Sequence, residues 1–168
     1  MLGNNDGCIF RNIDFNNIEL DGIELLDVVF ENCDLSNKCF NFCLVQRVKF
    51  INCKMVGICF IGSSLKDVSF VDCCSKYINF TDARISKMIV SKSDFSFMFF
   101  SETDIKNIEF DSVDLNGSEI VKTSLDGVDF SSCNICGIKT DFFSLKGLII
   151  DRFQSVDLIG MLGVKIKD

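Results

Sequence analysis

Between residues 10 and 150, every fifth position holds a large apolar residue. The series opens Phe10, Phe15, Leu20, Leu25, Phe30 and closes Leu145, Ile150; only Ser75 and Thr140 depart from it. A helix repeats every 3.6 residues and a strand every 2, so neither produces this spacing. A fixed period over most of a chain marks a repeat architecture, in which each unit buries its apolar face only by stacking on its neighbours. The position two before each centre is also selective: Cys8, Ile13, Ile18, Ile23, Val28 and Cys33 begin it, and Lys38 is its only charged member. The remaining positions are mostly polar, so each unit points one large and one smaller residue inward. The second position after each centre holds eight of the 11 glycines and several asparagines. Both residue types tolerate a left-handed backbone, which predicts a tight turn in every unit.

Three units show the pattern in full: Ile13-Asp14-Phe15-Asn16-Asn17, Cys33-Asp34-Leu35-Ser36-Asn37 and Val128-Asp129-Phe130-Ser131-Ser132. A small residue, then Asp or Asn, then Leu or Phe resembles the motif of the pentapeptide-repeat proteins. The resemblance covers about five-sixths of the chain. It implies an all-β fold, a right-handed four-sided parallel β-helix with four units per coil, running over 1–151.

The sequence supports four units per coil in its own terms, because every twentieth centre would then stack. One such column reads Phe10, Phe30, Phe50, Phe70 and its opposite Leu20, Phe40, Phe60, Phe80, Phe100, while the two between are mainly aliphatic. Alternating aromatic and aliphatic faces let large rings interleave at native density. About seven coils at roughly 4.8 Å make a rod of roughly 35 Å.

With 48% hydrophobic residues and no proline, the chain suits an ordered ladder that uses every backbone donor. The first seven residues carry no basic or apolar run, and no stretch approaches the length of a membrane helix, so the reading is a cytoplasmic protein without a membrane segment. Of ten cysteines, Cys8, Cys33, Cys43, Cys53, Cys73 and Cys133 fall in the small inward slot, where a thiol acts as a small hydrophobe. Cys39 and Cys59 point outward on neighbouring coils, close enough to pair if oxidised. Cys133 and Cys136 have CxxC spacing, but the register turns one inward and the other outward. With no histidine in the chain, no metal site is expected.

Charge comes in bands. Residues 1–34 carry eight acids against Arg11, 35–92 three acids against nine bases, and 93–151 eleven acids against four lysines. Some outward positions are apolar, among them Phe42, Phe97 and Phe99. After residue 151 the period changes: Phe153, Val156, Ile159 and Leu162 follow helical spacing, Gly163 ends it, and Val164-Lys165-Ile166 alternates like a short strand. The expected role of 152–168 is a cap over the last coil. The stretch Asp151-Arg152-Phe153-Gln154 with Met161-Leu162-Gly163-Val164 also resembles the C-terminal module of the Qnr-type quinolone-resistance proteins. That resemblance implies a head-to-head homodimer through Phe153, Val156, Ile159, Met161, Leu162, Val164 and Ile166.

No histidine base, phosphate-binding loop or ligand cluster is present, so no enzyme and no cofactor are expected. The resemblance implies instead a DNA mimic that occupies the basic saddle of DNA gyrase or topoisomerase IV and alters quinolone sensitivity, without binding nucleic acid itself. Its contact residues would be Asp94, Glu102, Asp104, Glu109, Asp111, Asp114, Glu119, Asp126 and Asp129. The alternative is a protein–protein scaffold with another target, using Phe42, Phe97 and Phe99.

Overall fold

The computed structural model describes residues 7–16 and 18–161. Short parallel strands alternate with corners in the order β1 (Ile9–Arg11), β2 (Glu24–Leu26), β3 (Val29–Glu31), β4 (Leu44–Ile51), β5 (Ser64–Val71), β6 (Arg84–Ser91), β7 (Phe99–Ser101), β8 (Asp104–Asp111), β9 (Glu119–Val121) and β10 (Lys139–Thr140). Helices α1 (Phe142–Leu145) and α2 (Ser155–Met161) follow. Strand partners lie twenty positions apart, as in Leu44 with Ser64 and Ser64 with Arg84. Twenty residues therefore make one coil, and about seven coils form the expected four-sided solenoid.

The corners explain the slot after each centre. All eight glycines read there have φ between +65° and +79°, and eighteen other residues share the left-handed conformation. They include Arg47, Asp67, Lys87 and Asn107, which bend β4, β5, β6 and β8 at mid-length so that each covers two sides. They also include Phe42, Tyr77 and Phe97, bulky residues for which this region is unusual. The ladder imposes the conformation on small and bulky residues alike; Ser132 and Phe142, in the same slot of the last coils, do not share it.

The core is the predicted double column of rings. Phe30, Phe50 and Phe70 stack at 5.1 and 5.0 Å, and Phe40, Phe60 and Phe80 at 5.3 and 5.5 Å. Across the core the columns meet edge-on, as in Phe50 with Phe60 at 6.3 Å. Ser75 leaves room on its side for Phe95, whose ring reaches Phe70 at 5.3 Å. Its hydroxyl is fully buried and has no partner.

The small inward slot has a second function. Its side chain donates to the backbone carbonyl of a centre one coil back: Cys43 Sγ to Leu20 O at 3.1 Å, Cys73 Sγ to Phe50 O at 3.4 Å, Thr103 Oγ1 to Phe80 O at 2.8 Å. Thiols and hydroxyls thus serve one purpose here, as small donors. All ten cysteines are free. Burial pushes the thiols of Cys33, Cys43 and Cys133 above their ordinary range, which keeps them protonated. Cys39 and Cys59 are neighbours across one ladder step, Cys133 is buried and Cys136 exposed. Lys38 is half-buried, and its ammonium reaches back to donate to Asn16 O at 2.8 Å. The charged exception is therefore a side chain folded along the surface onto a carbonyl.

The register does not run unbroken to residue 150. Helix α1 replaces one unit of the last coil, with Asp141 as its N-cap accepting from Ser144 N. Ser144, rather than the residue before it, fills the buried slot and accepts from Thr123 N at 3.1 Å, 21 positions away instead of the usual 20. Regular pairing resumes where Phe130 N donates to Ile149 O at 2.8 Å.

The cap also differs from the expected apolar stripe. Phe153 and Val156 are exposed, Ile159 is half-buried, and Leu158 packs against the core. The buried cap residue is Gln154. Its Nε2 donates to Phe130 O at 2.8 Å and Cys133 O at 2.7 Å, and its Oε1 accepts from Asp151 N at 2.8 Å. It thereby satisfies carbonyls that the missing next coil would have taken. Leu162, Val164 and Ile166 lie outside the described residues.

Candidate functional site

The acidic candidates are distributed around the rod rather than gathered on one face. Asp94 and Asp114 stand in one ladder column with Asp34, Lys54 and Cys74. Asp104 opens β8, Glu109 and Asp111 close it, and Glu119 opens β9. Glu102 occupies a left-handed corner, and Asp126 and Asp129 lie on the following coil.

Their partners separate them into two groups. Asp94 binds Lys76 at 3.2 Å and Glu102 binds Lys122 at 2.6 Å. Burial works against charge on Asp94, but Ser96 and Lys76 outweigh it and hold the carboxyl below its ordinary value. Asp129 is also held low, by the hydroxyl and amide of Ser131, and Asp141 by the amides of Lys122 and Ser144. Among the described residues, the other nine of the eleven carboxylates in 93–151 have no ion-pair partner.

The basic band is a different case. Arg47 grips Asp27 with two bonds of 2.5 and 2.7 Å, Lys54 pairs with Asp34 at 2.9 Å, and Lys87 with Asp67 at 2.8 Å. Several of these pairs join the basic band to acids of the neighbouring coil, twenty residues away. The spacing was readable in the sequence once the coil length was known. Among the described residues, four of the nine bases in the middle band are thus ion-paired, against two of the eleven acids in 93–151.

The aromatic candidates divide as well. Phe97 stacks on Tyr77 at 5.1 Å, and Phe99 is exposed beside that pair on the next ladder column. The Phe97 ring lies over Gly117, where an added Cβ would approach it to 2.6 Å. Phe42 covers Gly62 in the same way on another corner and does not join the cluster. Tyr77 was missed from sequence, although its place twenty residues before Phe97 is the signal that would have found it. A further apolar surface lies at the C-terminal end, where Phe142, Phe143, Phe153, Val156 and Met161 are all exposed.

Among the described residues, no three metal-ligating side chains cluster and no helix is long and apolar enough to cross a membrane. An open hollow of about 560 Å³ is lined by Asp27, Arg47, Lys49, Asp67 and Ile89 among others, and Asp27 and Asp67 are each held by a cation.

Residues 23–93 match the family model described as pentapeptide repeat region. No curated protein matches the chain. Among solved structures, trypsin-treated QnrB1, a plasmid-mediated fluoroquinolone resistance protein, is 17% identical over 98% of this chain and 93% of its own, with a TM-score of 0.46. A pentapeptide repeat protein of the Arabidopsis thaliana thylakoid lumen is 15% identical over 60% of this chain and 66% of its own, with a TM-score of 0.49. HetL, involved in heterocyst differentiation regulation in a Nostoc cyanobacterium, is 13% identical over 87% and 68%, with a TM-score of 0.40. Residues 23–93 thus carry a pentapeptide repeat region, and the same left-handed corner recurs from Gly7 to Gly147.

Proposed function

We propose that this protein is a non-enzymatic binding rod whose acidic C-terminal half occupies a basic, DNA-binding surface of a type II topoisomerase, DNA gyrase or topoisomerase IV. The observation that carries the reading is that, among the described residues, nine of the eleven carboxylates in 93–151 have no ion-pair partner. Eleven acids against four lysines leave that segment at a net −7. About three coils at ~4.8 Å span ~14 Å, hence one net negative charge per ~2 Å. Duplex DNA carries one per ~1.7 Å of axis, so a saddle built to attract phosphates meets a comparable charge density. The rigid ladder fixes the carboxylates in advance, which lowers the cost of ordering them on binding.

The exposed apolar end supports the homodimer. Joined there, two rods would place both acidic halves at the centre of a particle roughly 70 Å long. Sedimentation should then give a dimer that Phe153→Asp with Val156→Asp converts to monomer. Reversing Asp104, Asp111 and Asp114 to Lys should abolish topoisomerase inhibition or quinolone protection while leaving the fold intact. Retained activity would move the contact elsewhere. The second reading, a scaffold for another protein, is favoured by the Tyr77–Phe97–Phe99 cluster. Under it, Phe97→Ala with Phe99→Ala removes activity and the charge reversals do not.

A further inference from the structure

The ladder that joins coil to coil is interrupted on one side of the rod. Elsewhere a corner amide donates to the carbonyl of the next coil: Asp27 N to Gln46 O at 3.1 Å, Asn52 N to Val71 O at 2.9 Å, Lys92 N to Asp111 O at 2.9 Å. Beyond β8 this stops. β8 pairs with β6 on one side and with no strand on the other. Among the described residues, no backbone hydrogen bond joins 104–111 to 124–131. Asn107 N lacks the bond that Asp27 N makes, and Ile108 O lacks the amide that Val28 O receives from Lys49 at 2.9 Å. Ser112 N is taken by the Ser132 hydroxyl at 3.2 Å instead of a carbonyl. Regular pairing returns one corner later, where Asn134 N donates to Val113 O at 3.0 Å. β8 is thus an edge strand partway along the rod.

The core beside it records the opening. Ile108 is 8% and Phe110 7% exposed, whereas their counterparts one coil back, Met88 and Val90, are at 0%. An open groove of about 410 Å³ follows the edge, lined by Ile89, Ile108, Glu109, Asp111, Asp129 and Ser131 among others. Its lining includes three carboxylates and no cation. Asp104 opens the same strand, Lys106 lies on it outside the lining, and Asp126 lies on the coil across the groove.

An unpaired strand edge is a template for another strand, and main-chain bonds to such an edge bind extended peptides. We propose that the β8 edge accepts, by strand addition, an extended segment of a partner protein that carries lysine or arginine. The backbone of 105–110 supplies the pairing, Glu109, Asp111 and Asp129 select the basic side chains, and Ile89 with Ile108 receives an apolar residue between them. The inference does not depend on which protein donates the segment.

The test uses the full chain, isotope-labelled for NMR, and three blocked hexapeptides: alternating lysine and valine, the same with alternate amides N-methylated, and glutamate in place of lysine. In the free protein the amides of Ile105, Asn107 and Phe110 should exchange at least about tenfold faster than those of Ile85, Lys87 and Val90. Adding the lysine–valine peptide should slow and shift these three amides, the other two peptides should not, and Glu109→Lys with Asp129→Lys should weaken the effect. Equal exchange in the free chain would overturn the proposal, because the edge would already be covered. Concentration dependence would then name a second copy as the occupant, and its absence the chain's own 162–168. No shift, or equal shifts with the N-methylated peptide, would overturn it as well, the latter because charge alone would account for binding.

Discussion

Replacing Gln154 by Met keeps the length of the side chain and removes its polar end. Three hydrogen bonds are lost, two from Nε2 to Phe130 O and Cys133 O and one from Asp151 N to Oε1. A typical bond contributes about 0.5–1.5 kcal/mol net, and a buried carbonyl left unpaired costs about 1–3 kcal/mol. Gln154 is 7% exposed, so water reaches the vacated carbonyls poorly. The expected loss is about 2–4 kcal/mol, which for a chain of this size lowers the melting temperature by roughly 4–16 °C. A solenoid couples mainly nearest neighbours, so the loss should be concentrated in the last coil. Urea unfolding gives the magnitude, and hydrogen exchange at Leu125, Gly127 and Phe130 gives the location. Gln154→Glu should behave like Gln154→Met at neutral pH, since it too lacks the Nε2 donor and places a carboxylate against two carbonyls. A loss below about 0.5 kcal/mol, the size of an ordinary surface substitution, would refute the capping argument.

Phe70→Ala should cost about 3–5 kcal/mol in equilibrium unfolding, because its ring touches Phe50, Phe60, Phe80 and Phe95 and the cavity cannot collapse between fixed coils. Ser75→Ala should stabilise by about 1 kcal/mol in the same assay, since it removes a buried hydroxyl without a partner at little change in volume. Acid should destabilise the rod: Asp94 and Asp141 are held below their ordinary values, so the unfolded chain binds more protons than the folded one. Their contribution is present above about pH 4, the ordinary carboxylate value, and fades as pH falls through the lower folded values. Urea midpoints measured at pH 7, 4 and 3 should decline in that order.

The repeat was legible because every unit states the same two-residue burial rule, and the twenty-residue coil followed from which centres are aromatic. The corner conformation was legible at Gly57 or Asn52 but not at Phe42 or Tyr77, where the ladder overrides residue preference. Helix α1 was hidden because Leu145 keeps its five-residue slot even though the backbone before it has left the ladder. The Asp141–Ser144 cap was the local signal. Gln154 is a single polar residue, and nothing in its own sequence neighbourhood shows which carbonyls need a donor. The edge of β8 depends on the lack of pairing with 124–131, a tertiary effect without a sequence signature. The acidic residues were identified by type, but which of them form ion pairs required side chains placed about twenty residues apart.

The most direct test of the proposed role is supercoiling by DNA gyrase and decatenation by topoisomerase IV across a range of protein concentrations, with and without a fluoroquinolone. The account predicts inhibition or rescue from the drug, in either case lost when Asp104, Asp111 and Asp114 are reversed to Lys. Unchanged enzyme activity and unchanged drug sensitivity at every concentration would contradict it and leave the Tyr77–Phe97–Phe99 surface as the place to look for a partner.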